Sequence, residues 1–123
     1  MMTTKTEDSQ RRQLSLYHTG TLKKLYPDLI LLVIENNGWK SIVTEKSHPD
    51  CLWCLPFDGE RHWYYHELKI LTGKLDAGQK KWWAKFKETP TTKGIITKGL
   101  QAHYNAIDTW LQRFYPDHQF KII

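Results

Sequence analysis

Asp50, Glu67 and Lys69 are the residues of this 123-residue chain whose types and spacing could do chemistry together. Asp58-Gly59 separates two runs rich in Trp, Tyr and Leu, Asp50–Pro56 and Arg61–Ile70. Asp-Gly in that setting is a strong hairpin signal, because both central residues of the tight turn need positive φ. Asp50 stands eight residues before the dipeptide and Glu67 eight after it. The turn therefore makes them direct cross-strand neighbours, with side-chain stems about 5 Å apart and like charges that repel unless something intervenes. Lys69 shares their face, since strand side chains alternate. Two carboxylates and an ammonium suit a hard cation held by oxygen ligands, magnesium being the natural choice. The lysine would then position or deprotonate an attacking water, or stabilise the charge of a pentacovalent phosphoryl group.

The elements that must position this trio can be read from periodicity. Leu14, Tyr17, His18, Leu22 and Leu25 recur at helical spacing and predict a helix over about Asp8–Tyr26, weakened at Gly20 and stopped by Pro27. Leu29–Glu35 is a short apolar run bounded by Pro27 and Asn36-Asn37-Gly38, a buried strand. The stretch Trp39–Ser47 shows neither period and reads as a loop or a brief helical turn. Asp76 stands three residues before Gln79, an N-cap with its box partner, opening a helix striped by Trp82, Trp83 and Phe86 up to Thr89-Pro90. Gly94–Thr97 fits a last strand, and Leu100, Tyr104, Ile107, Leu111 and Phe114 a closing helix before Pro116. The expected fold is α/β, a mixed β-sheet flanked by helices in one domain over 1–123, with 1–7 and 117–123 as flexible tails.

Composition agrees with one core: 40% of the residues are apolar and 25% charged. Eighteen Lys and Arg against 13 Asp and Glu give a net charge of +5, which favours an acidic partner such as nucleic acid and equally serves solubility. The longest apolar run, Leu29–Ile34, falls far short of the roughly 18 residues a bilayer span requires. With no apolar signal region and two cysteines that build no disulfide framework, an intracellular, cytoplasmic protein is expected.

Pro49-Asp50, followed after the hairpin by Glu67-Leu68-Lys69, resembles the signature of the PD-(D/E)xK nuclease superfamily. The run from Thr72 to Trp82 is similar to the segment that follows this motif in the VRR-NUC group, the virus-type replication-repair nucleases. Tyr26-Pro27-Asp28-Leu29, Asn37-Gly38 and Ile95–Leu111 resemble the small stand-alone phage-type members, so the likeness spans about Asp8 to Leu111. It implies a restriction-endonuclease-like core and Mg2+- or Mn2+-dependent cleavage of DNA phosphodiesters. It further implies a homodimer acting on branched DNA such as four-way (Holliday) junctions. By motif position, Asp50, Glu67 and the Leu68 backbone carbonyl are implied metal ligands, Lys69 the catalytic lysine and Gln79 its supporting polar residue. Two features depart from the pattern. Ser47-His48 stands where the family has a glycine-containing lead, and the acidic ligand of the first helix has two candidates, Glu7 and Asp8.

Each residue also has a plainer use. Asp58 is fully accounted for by the turn. Gln79 serves either the helix cap or the site, and Trp82, Trp83 and Phe86 suit a core better than a platform for bases. Lys74, Lys80, Lys81 and Lys85 surround the helix after Lys69, where they could follow a phosphate backbone or simply be solvated. Two other classes of function remain open: a noncatalytic basic DNA-binding module, and a zinc-stabilised interaction domain. The zinc reading rests on Cys51-x2-Cys54 and His62-x3-His66, but only seven residues separate the pairs, against about 12 in a usual finger.

Overall fold

The computed structural model describes residues 6–33 and 47–123. The stretch expected as a loop at Trp39–Ser47 and the Asn37-Gly38 pair lie outside the described residues, apart from Ser47.

Helix α1 (Glu7–Tyr17) opens on Thr6, whose hydroxyl accepts the Ser9 N–H at 3.1 Å, with Glu7 and Asp8 in the first turn where the helix dipole favours anions. It runs through a π-helical turn (His18–Leu22) into a single turn α2 (Lys23–Leu25). The expected helix is therefore present with one irregularity, centred where Gly20 weakens it. The wider turn buries both His18 and Leu22, and His18 Nε2 bonds the Leu29 carbonyl at 2.8 Å. Tyr26-Pro27 ends the helix, as the sequence predicts.

Four strands follow: β1 (Ile30–Val33), β2 (Cys51–Phe57), β3 (Glu60–Lys69) and β4 (Thr92–Lys98), in spatial order β1-β2-β3-β4. The first two neighbour pairs are antiparallel and β3–β4 is parallel, so the sheet is mixed. At the β2–β3 turn Asp58 and Gly59 have φ of 52° and 80°, the conformation that a two-residue hairpin demands. Phe57 faces Glu60 and Cys51 faces His66, the register expected from the turn.

The parallel crossover from β3 to β4 carries α3 (Ala77–Lys85), and α4 (Leu100–Gln112) closes the fold. Alternation along β3 puts helices on both faces of the sheet. Tyr64 stacks on Trp110 of α4 at 5.0 Å, while its neighbour Tyr65 meets Trp82 and Phe86 on the α3 side at 5.6 and 5.1 Å. The main core lies between the sheet and the α1/α4 pair, where Leu14, Leu22, Trp53, Leu68, Ile107 and Leu111 are sealed from water. Each such side chain contributes about 1.5–3 kcal/mol of burial. Among the described residues no helix is long and apolar enough to cross a membrane.

Three expectations change. The strand expected to be buried, β1, lies at the edge of the sheet with Ile30 and Leu32 exposed, because only β2 pairs with it. Helix α3 ends at Lys85 rather than near Thr89-Pro90, because Phe86 turns extended (ψ 130°) to lay its ring against Gly94 and Tyr65. Residues 117–123 are not a loose tail. His118 is buried against Asp108, Lys121 N–H donates to Asp108 Oδ2 at 2.9 Å, and Ile123 N–H to Gln101 Oε1 at 3.0 Å.

Candidate active site

The sequence ends β2 at the point where the site begins. Pro49 has no N–H and so cannot continue the ladder with β3, which leaves Asp50 just ahead of Cys51 with its side chain free to turn back. Asp50 Oδ2 accepts the Leu68 N–H at 3.0 Å, a bond that in a regular ladder belongs to the strand opposite. Lys69 C=O accepts the Gly99 N–H at 2.9 Å and faces β4, so by alternation Leu68 C=O faces the β2 side. The residue opposite it there is Pro49, which offers it no donor.

Glu67 is 1% exposed. Its Oε2 accepts Gln79 Nε2–H at 3.2 Å and lies 3.7 Å from Lys69 Nζ, whereas among the described residues no donor reaches its buried Oε1, and the carboxyl, when protonated, hydrogen-bonds Asp50. Burial pushes the carboxyl from its ordinary value of 4.5 up to about 9; the neighbouring Asp50 adds to the rise and Lys69 opposes it. Ionising both carboxyls in such contact is costly. An oxygen-seeking cation would relieve it.

Lys69, itself buried, sits 3.6 Å from Glu7 Oε1 as well as near Glu67. Between the two acidic candidates on the first helix, the structure brings Glu7 to the lysine. Asp8 pairs with Arg11 instead, and Arg11 Nη1 also reaches Asp50 Oδ1 at 3.4 Å. Arg11 is the site residue that sequence reasoning missed. Its signal was helical spacing: Glu7 and Arg11 are four residues apart and so share one face of α1.

Gln79 makes both contacts that had seemed to compete, capping α3 with Asp76 and bonding Glu67. Lys74 lines a cavity of about 470 Å3 with Glu7, Asp8, Lys69 and Gly73. Lys81 and Lys85 line another of about 430 Å3 with Ser47, Gly78, Trp82 and Phe86. Lys80 is exposed on the same helix. The basic residues thus lie along α3 and the loop before it, on the helix whose Gln79 bonds Glu67.

The zinc-type residues do not converge. Cys51 and Cys54 lie on opposite faces of β2, and both thiols are buried and pushed up by that burial. Both ring nitrogens of His66 are taken, by Trp53 and Thr97, and His62 packs on Phe114 at 4.6 Å. Among the described residues no three His, Cys, Asp or Glu side chains form a metal-holding group. A cation between Asp50 and Glu67 would therefore need backbone oxygen or water to complete its shell.

Compared with protein-family models, with curated proteins and with solved structures, the chain finds no match.

Proposed function

We propose that this chain is a metal-dependent DNA endonuclease with a restriction-endonuclease-like core, of the VRR-NUC type that its motifs resemble, acting as a homodimer on branched DNA such as four-way junctions. One observation carries the reading: the Glu67 carboxyl, buried to 1% exposure on the strand position opposite Asp50 and beside Lys69, with no donor to its Oε1 among the described residues.

The donor set fits a hard divalent cation, Mg2+ or Mn2+. Asp50, Glu67 and the Leu68 carbonyl would hold it. When bound, such an ion polarises a phosphoryl oxygen and lowers the pKa of coordinated water. The protein's own groups supply the rest. Gln79 fixes the Glu67 carboxyl by donating its amide hydrogen to Oε2. Lys69 sits where its ammonium can orient the attacking water, accept the water's proton after losing its own, or stabilise charge on the phosphorane. Glu7 holds that ammonium in place. Lys74, Lys80, Lys81 and Lys85 follow the phosphate backbone on either side.

The test is nicking of linear, flapped, splayed and four-way DNA, with and without Mg2+, by the wild type, Glu67→Gln and Lys69→Met. The wild type should cleave only with the ion, preferring branched substrates, and each variant should lose at least about 100-fold. Equal behaviour of all three proteins overturns catalysis at this site. Binding of DNA without cleavage by any of them would instead leave a noncatalytic basic module. A solution mass measurement alongside tests the homodimer.

A further inference from the structure

The inner face of α1 carries Glu7, Gln10 and Arg11 at successive helical positions, followed by the apolar Leu14 and Tyr17. Gln10 is only 4% exposed. An amide in that position costs free energy unless it is bonded, and a leucine would have extended the apolar stripe without that cost. The amide instead joins a continuous buried relay. Trp53 Nε1–H donates to His66 Nδ1 at 3.3 Å, His66 Nε2 meets Thr97 Oγ1 at 2.8 Å, Thr97 Oγ1 meets His103 Nδ1 at 2.6 Å, and His103 Nε2 meets Gln10 Oε1 at 2.6 Å.

An indole N–H can only donate, and this fixes the direction of every later bond. His66 must carry its proton on Nε2 and give it to the threonine oxygen. The threonine hydroxyl gives its own to His103 Nδ1, and His103 Nε2–H reaches the glutamine carbonyl. One residue comes from each of five elements: β2, β3, β4, α4 and α1 in turn. Apolar burial would hold these elements together without direction. A one-way relay also sets the rotation and the axial position of α1.

What depends on that setting is the reactive end of the sheet. Glu7 and Arg11 flank Gln10 on the same face, and they reach Lys69 Nζ at 3.6 Å and Asp50 Oδ1 at 3.4 Å. Resting on the nuclease reading above, we propose that Gln10, Thr97 and His103 are positioning residues of the cleavage site, holding the helix that presents Glu7 to Lys69 and Arg11 to Asp50.

Gln10→Met removes the acceptor of His103 Nε2–H at nearly constant volume. Thr97→Val breaks the relay in its middle, while Thr97→Ser keeps the hydroxyl and is the rescue control. On four-way DNA with Mg2+, Gln10→Met and Thr97→Val should lower kcat by roughly 10- to 100-fold, since a misplacement near 1 Å costs about that much, with KM held within about twofold. Thr97→Ser should stay near wild type. In crystal structures of the two relay-breaking variants, Glu7 should no longer reach Lys69 and Arg11 should no longer reach Asp50. Unchanged kcat, a loss confined to KM, or ion pairs that persist in the variants would overturn the proposal. A wild type that cuts no DNA would fail the nuclease reading alone, and the crystal structures would then decide the positioning role. If Gln10→Met does not fold, Thr97→Val against Thr97→Ser carries the same test.

Discussion

Gln79 gives the two ends of its amide to two different partners: Oε1 accepts the Asp76 N–H at 3.0 Å, and Nε2 donates to Glu67 Oε2 at 3.2 Å. The start of α3 and the orientation of the buried carboxylate are thereby set by one side chain. Gln79→Glu separates the two. It keeps an acceptor for the cap but replaces the donor facing Glu67 with a carboxylate oxygen. We expect a loss of about 1–3 kcal/mol in urea unfolding and of most nicking activity, although the cap survives. Gln79→Ala loses both bonds. A Gln79→Glu protein that unfolds and cleaves like wild type would show that the contact with Glu67 is incidental.

Glu67 makes the metal-free protein sensitive to pH in an unusual direction. Its carboxyl is raised to about 9 in the folded chain from an ordinary value of 4.5, chiefly by burial. Between these values the folded state holds a proton that the unfolded state has released, so stability falls as pH rises through this window. In chelator, the wild type should lose stability from neutral to alkaline pH, and Glu67→Gln should flatten that slope. A cation displacing the proton reverses the sign: added Mg2+ should stabilise the wild type most at the alkaline end and Glu67→Gln little. Parallel pH–stability curves for the two proteins in chelator would sink this account.

Local rules made most of the site legible. The Asp-Gly turn fixes the register by itself, which is why the opposition of Asp50 and Glu67 could be read eight residues away from it on each side. The Asp76–Gln79 box was equally readable because both partners lie within one turn of helix. Gln10 and Arg11 were not readable in the same way. Their meaning comes from His103 and Asp50, 93 and 39 residues distant, and helical periodicity gives only the face they share. The docked C-terminal segment was missed for a similar reason: 117–123 carries neither period, and its acceptor Asp108, nine residues before it, is recognisable as buried only in the fold.

Gly94 sets how closely α3 can approach the sheet. A Cβ there would meet Trp83 Cζ3 at 2.7 Å and Phe86 Cε2 at 2.8 Å, both on rings wedged among other aromatics. Gly94→Ala should therefore push the aromatic end of α3 outward and cost about 1–3 kcal/mol. Gln79 lies on the same helix, so the Glu67 contact should loosen and nicking should fall with stability. By contrast, a Cβ at Gly20 meets nothing within 4 Å, so Gly20→Ala should leave nicking unchanged and raise stability by about 0.5–1 kcal/mol. Thermal melts with activity assays on the two variants make the comparison. Equal melting points would show that the rings at Gly94 yield freely.

Asp108 is wholly buried, yet it is not part of the proposed site, and its partners explain why the end of the described chain is ordered. Its Oδ1 accepts Tyr17 O–H at 2.7 Å and His118 Nε2–H at 2.6 Å, and its Oδ2 accepts the Lys121 N–H at 2.9 Å. With Nε2–H donating, His118 Nδ1 is the acceptor for Tyr26 O–H at 2.6 Å, so one carboxylate links α1, the end of the first helical segment and the C-terminal residues. Three donors converge on a group that water cannot reach, and removing them strands a buried charge. Deleting residues 117–123 should consequently cost about 3–5 kcal/mol, far more than trimming a solvated tail, and Asp108→Ala should cost a similar amount. Because both changes dismantle the same cluster, combining them should cost much less than the sum of the two. Urea unfolding of the single and combined variants measures this. Additive losses would mean that the C-terminal residues are held by something other than Asp108.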